Sequence, residues 1–173
     1  MALISNDEVV KAIEKFAGAL STQQLGLVNH YPEKWAQPTR CFENALRKVK
    51  ISGGRTQCGW IFDWRLTPHI PNVPGYLMAT HHAVWCSPNG NLIDITPFRP
   101  ETKHYPIRPN GSEILFHLDD TAQPVTIKNY LAPLPLLFYP LSQDPPLVAY
   151  VKELNKKEHY DCESLYKSLL DTG

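Results

Sequence analysis

The chain has 173 residues, 43% of them apolar and 20% charged, with 17 basic residues against 17 acidic ones. That composition suits one globular domain, residues 1–173, with room for a sizeable core. Balanced charge with no long basic run argues against nucleic acid and anionic membrane as partners. The N-terminus turns polar after four residues and holds no uninterrupted apolar stretch. Neither a signal peptide nor a membrane span is therefore expected, and the expected compartment is the cytoplasm. There Cys41, Cys58, Cys86 and Cys162 should be free thiols, since their spacings of 17, 28 and 76 residues match no disulfide framework.

Val9, Val10, Ile13, Phe16, Ala17 and Leu20 recur at helical spacing, with Asp7 and Glu8 in the first turn, so a helix is predicted over residues 6–20. Residues 21–38 include Tyr31-Pro32 and Gln37-Pro38 and read as irregular. A second helix is predicted from an N-cap at Thr39, with a stripe of Phe42, Ala45, Leu46 and Val49, and it ends before Gly53-Gly54. Cys41 then falls in its first turn, where unpaired backbone N–H groups and the helix dipole favour a thiolate.

Residues 55–66 are rich in aromatics and read as a strand, with Gly59 as a bulge. A loop with three prolines, residues 67–75, is placed to wall a site. Strands are then predicted over residues 76–86 and 91–98, joined by the turn-forming Ser87, Pro88, Asn89, Gly90 and Asn91. Residues 113–118 and 125–131 read as two more strands, which makes the sheet mainly antiparallel. Residues 132–146 hold five prolines among apolar residues and read as an extended packed segment, and residues 147–154 and 162–170 read as helix.

The hairpin carries the chemistry. His82 and Asp94 sit inside its two apolar strands, where each is costly to bury unless partnered, and the simplest partner for each is the other. Register tests this. A two-residue Asn-Gly turn would put the two side chains on opposite faces. A five-residue loop over residues 87–91 pairs Cys86 with Leu92 and leaves His82 and Asp94 on one face as diagonal neighbours, and a three-residue loop would place them directly opposite. A carboxylate on one imidazole nitrogen fixes the tautomer and leaves the other nitrogen free as a base. Cys41 supplies the nucleophile that the pair lacks. His81 is the rival base, on the opposite face of the strand. A second class of reading is a metal site from Cys58, His81, His82 and Cys86, although no C-x-x-C or H-x-x-x-H spacing is present. A third is a binding module that keeps the groove without turnover.

Cys41 opening a helix, His82-Ala83 on a strand and Asp94-Ile95-Thr96-Pro97 on the next resemble the transglutaminase-like branch of the papain-like cysteine enzymes. Those enzymes carry a cysteine on a helix, then a His-Ala motif, then an Asp-Pro-Thr-like motif. The separations here, 41 and 12 residues, are similar, with Arg40 where a glycine is common and Ile95 between Asp94 and Thr96. The resemblance covers about residues 35–98. It implies an α+β, papain-like fold with N-terminal helices packed on the sheet, and no cofactor or metal. It also implies Cys41 as nucleophile, His82 as base and then acid, and Asp94 as the residue orienting His82. The substrate would be a peptide, protein or other molecule with an amide or ester bond, and a peptidase or amidase is the closest comparison. The oxyanion would rest on the Cys41 N–H and a second donor, either Gln37 or Trp60.

Overall fold

The computed structural model describes residues 6–99, 107 and 112–171. Its first helix, α1 (Asn6–Leu20), lies where the apolar spacing predicts it, and buries Val9, Ile13, Phe16 and Ala17. Residues 21–38 are not irregular throughout, because β1 (Leu25–His30) lies within them. Only Val28 in β1 is buried, and the strand is held by non-local pairing, so periodicity gives little sign of it. The next elements are α2 (Cys41–Ser52), β2 (Arg55–Arg65), β3 (Tyr76–Cys86), β4 (Leu92–Asp94) and β5 (Glu113–Leu118).

These strands form a sheet in the order β2, β5, β1, β4, β3, and β2 also pairs with β3, which closes the sheet into a small five-stranded barrel. Every pairing in the barrel is antiparallel except β1 with β4, which run parallel. Side chains alternate inward and outward along the strands. Val28, Val84, Ile114 and Phe116 form one core cluster in the barrel, while Trp60, Phe62, Leu77 and Ala79 face α1. Cys41, Phe42 and Ala45 of α2 pack on Cys58 and Ala83.

The hairpin register is the five-residue-loop one of the two that parity allows, with Cys86 opposite Leu92 and Trp85 opposite Ile93. Gly59 is not a bulge. Pairing of β2 with β3 runs unbroken from Arg55 opposite Cys86 to Arg65 opposite Tyr76. The glycine is needed because β5 crosses β2 there, and a Cβ on Gly59 would fall on the His117 carbonyl oxygen and the Phe116 ring.

Beyond the barrel, the single strand predicted over residues 125–131 is a small hairpin, β6 (Val125–Ile127) with β7 (Tyr130–Ala132). Lys128 at its turn has a φ of 54°. Within the proline-rich segment, β8 (Leu137–Pro140) joins the free edge of β3, a position that tolerates proline. The two predicted C-terminal helices are one, α3 (Pro145–Asp171), of 27 residues. The polar stretch between the predicted pieces includes the helix formers Lys156, Lys157 and Glu158 and is laced by Lys157 with Asp161 and His159 with Glu163. Asn155 of α3 accepts a hydrogen bond from the Phe138 N–H at 2.9 Å and donates to the Phe138 carbonyl at 3.0 Å, which ties α3 to β8. Among the described residues there are three helices, and none is long and apolar enough to cross a membrane.

Gly59→Ala should therefore destabilise the fold by about 3 kcal/mol or more, because only backbone movement of β5 makes room for the methyl group. Urea unfolding of the variant against wild type measures this.

Candidate active site

The residue before α2 is Arg40, which takes the N-cap position with φ −112° and ψ 44° and makes no side-chain cap. Thr39 is not the cap. It precedes the turn with a φ of 65°, a strained conformation for a β-branched residue, and its hydroxyl lies 3.4 Å from Arg99 Nη2. The Asn44 N–H makes the first helical bond, to the Arg40 carbonyl at 2.8 Å. Cys41 is thus the first residue of the helix, where N–H groups have no partner within the helix.

His82 stands on β3 and Asp94 ends β4, and the barrel brings them together. His82 Nε2 lies 3.1 Å from Asp94 Oδ1, an ion-pair contact without the alignment of a linear hydrogen bond. Asp94 is fully buried, and its Oδ1 also accepts the Thr96 N–H at 3.0 Å. With Nε2 turned to the carboxylate, Nδ1 is the ring nitrogen left for Cys41. Burial is the largest single influence on His82 and opposes its charge. The Asp94 charge, then the Cys41 thiolate, outweigh it and hold the imidazolium well above 6.5.

The neighbouring His81 is the opposite case. Its Nε2 donates to the Ala122 carbonyl at 2.8 Å and its Nδ1 accepts the Leu134 N–H at 2.9 Å, so one neutral tautomer satisfies both nitrogens. Its ring lies between Phe42 and Trp60, with centroids 4.7 Å and 5.2 Å away. Burial lowers its pKa to about 4. Trp60 sits opposite His81 on the outer face and donates its indole N–H to Asp119 Oδ2 at 3.0 Å, which occupies that donor within the fold. Gln37 is exposed, and both its backbone N–H and its carbonyl are bound by the Asn44 side chain. Among the described residues no group of three or more His, Cys, Asp or Glu is arranged to hold a metal ion, and Cys58, His81, His82 and Cys86 are not brought together as one.

Asn44 and His30 belong to the site and were not singled out from the sequence. Asn44, 5% exposed, accepts the Gln37 N–H at 3.1 Å and donates to the Gln37 carbonyl at 2.8 Å and to Thr96 Oγ1 at 3.1 Å. It therefore links the approach to Cys41 with the turn that binds Asp94. An amide between Phe42 and Ala45 on the buried side of a helix was a legible signal, by the same burial argument that flags His82. His30 gave no signal, because it ends the unrecognised strand β1. Its Nε2 donates to the Thr96 carbonyl at 2.9 Å and lies 3.9 Å from Asp94 Oδ2.

A cavity of about 460 Å3, within the usual range for small-molecule sites, reaches Cys41 and His82. The loop of residues 67–75 does not wall it. The wall comes instead from the 131–136 segment and α3. Residues 100–106 and 108–111, part of the region after Arg99 that was also expected to wall the site, lie outside the described residues.

The two histidines should titrate in opposite directions, which NMR of the imidazole resonances can follow. His81 should stay neutral down to about pH 4, and His82 should keep its proton well above 6.5. Because the folded pKa of His81 is depressed, its contribution of about 3 kcal/mol is present above pH 6.5 and is lost as pH falls from 6.5 to about 4. The raised pKa of His82 gives stability that is complete below 6.5 and lost as pH rises through the folded value. Comparison of the chain with protein-family models, with curated proteins and with solved structures finds no match to any of them.

Proposed function

We propose that this protein is a cysteine-dependent hydrolase or acyltransferase with a papain-like, transglutaminase-like arrangement, acting on an amide or ester bond. The observation that carries the reading is the pairing of His82 with a fully buried Asp94 while Cys41, at the first position of α2, interacts with the same imidazole. A thiolate beside an imidazolium is the resting form of a nucleophile whose proton has already been moved.

The chemistry follows from that pair. The Cys41 thiolate attacks the carbonyl carbon, and negative charge builds on the carbonyl oxygen. The Cys41 backbone N–H at the uncapped start of α2 supports that oxyanion. Gln37 is the better of the two expected second donors, because the Trp60 indole is bound to Asp119. His82 gives its proton to the departing amine or alkoxide, and water or an amine then releases the acyl group from Cys41. Asp94 holds the imidazole and stabilises its positive form. Asn44 and Thr96 are positioning residues that keep Asp94 and the α2 entrance in register. Peptides, proteins and other amides fit this chemistry equally.

Iodoacetamide labelling resolved by peptide mass spectrometry tests the reading. At neutral pH Cys41 should react first. Burial raises Cys58 to about 11 and Cys162 to about 11, and Cys86 is 1% exposed. His82→Ala should slow Cys41 by about 100-fold, and Asp94→Ala should slow it less. A Cys41 that is inert, or indifferent to His82, would overturn the proposal and leave a binding module.

A further inference from the structure

The cavity beside Cys41 has a direction. His82, Thr80 and Met78 alternate onto one face of β3, and Ile61, Asp63 and Arg65 lie on the same face of β2. From His82 to Met78 is four residues of strand, roughly 13 Å. On the other side Glu158, Cys162 and Leu165 of α3 line the same space, and their seven-residue span covers roughly 10 Å of helix. The space is therefore elongated along β3, with the thiol at one end. Thr39 and Arg99, both exposed, line it at the Cys41 end.

Its walls are mostly apolar, contributed by Ile61, Met78, Leu131, Leu134 and Leu136. Of the charged groups that reach it, Asp63 and Arg65 pair with each other, and the Glu158 carboxylate is hydrogen-bonded by its neighbours. Arg65 Nε lies 2.8 Å from Asp63 Oδ2, and Glu158 accepts the Leu136 N–H at 3.2 Å and the Cys162 thiol at 3.5 Å. An occupant that extends from the thiol thus meets mostly hydrocarbon, with one internal ion pair and one hydrogen-bonded carboxylate, which favours an apolar chain over a polar or charged one.

We propose that the cavity holds the acyl part of the substrate, an extended unbranched apolar chain running from the Cys41 thioester along β3 beneath α3. The proposal rests on the cysteine-nucleophile reading above and names its substrate class: esters or amides of medium-chain carboxylic acids. In the acylation step a sulfur lone pair forms the bond to the acyl carbon, the acyl C–O or C–N bond breaks, and the leaving group takes the His82 proton. Water then attacks the thioester, returns a proton to His82 and releases the carboxylic acid with free Cys41.

A series of para-nitrophenyl esters, acetyl, butyryl, hexanoyl and octanoyl, tests it on the full chain. Nitrophenolate release and the mass of acylated protein are read together, with Cys41→Ala as background. In wild type kcat/KM should rise by roughly fourfold for each methylene taken into the cavity, up to octanoyl. Leu165 is 46% exposed on α3, so substitutions there are compatible with folding. Leu165→Trp, which fills the cavity, and Leu165→Asp, which puts a charge into it, should each lower the octanoyl-to-acetyl ratio by about tenfold or more. Acylation of Cys41 at rates independent of chain length, or a ratio unmoved in both variants, would overturn the cavity assignment and leave the nucleophile reading standing. Failure of every ester to acylate Cys41, together with labelling indifferent to His82, would overturn both.

Discussion

A carboxylate with no exposure to water has to be satisfied by the fold, and Asp94 is such a group. Its partners come from separate parts of the chain. His82 reaches it from β3, the Thr96 N–H from the turn after β4, and His30 from the neighbouring β1. Asn44 extends the network through the Thr96 hydroxyl to α2, the helix that begins with Cys41. The site's geometry is therefore organised around one buried charge. Removing it would strand an imidazolium and loosen a helix at once, which is why coupled groups of this kind rarely behave additively.

Strand β3 shows how far surroundings outweigh residue type. His81 and His82 are adjacent, but the pleat sends them to opposite faces. On one face His81 meets Phe42, Trp60, a carbonyl acceptor and an N–H donor, and burial keeps it neutral. On the other face His82 stands opposite Gly59 with Asp94 beside it, and the neighbouring charges overcome a similar burial. Two identical side chains thus have their pKa values moved in opposite directions according to the parity of their positions.

Helix α3 is built differently from the barrel. Of its 27 residues Leu147 and Val151 are the buried ones, both near its start. Further along it is held by polar tethers: Asn155 to Phe138, Glu158 to the Leu136 N–H, and the Tyr166 hydroxyl to the Pro133 carbonyl at 2.5 Å. Few buried apolar side chains and tethers that are at best part-buried place this half of the helix at the low end of the molecule's local stability. The floor beside Cys41 is rigid sheet, whereas the roof is the part able to yield.

Local pattern was enough for several features. Apolar periodicity placed α1 and α2, β-branched and aromatic runs placed β2 and β3, and parity put His82 and Asp94 on one face, with either a three- or a five-residue loop. Those are short-range signals, written in spacing and turn chemistry. The rest needed distant chain. Strand β1 exists because β4 and β5 flank it, Gly59 is a crossing point for β5, and α3 is continuous through a polar stretch that periodicity reads as a break. The commitment of Trp60 to Asp119 and of His81 to Ala122 and Leu134 was also invisible, since those partners lie 41 to 59 residues away. The residues themselves therefore determined which side chains could do chemistry and on which face. Only tertiary structure decided which stayed available for it, because hydrogen-bond partners and cavity walls come from elements remote in the chain.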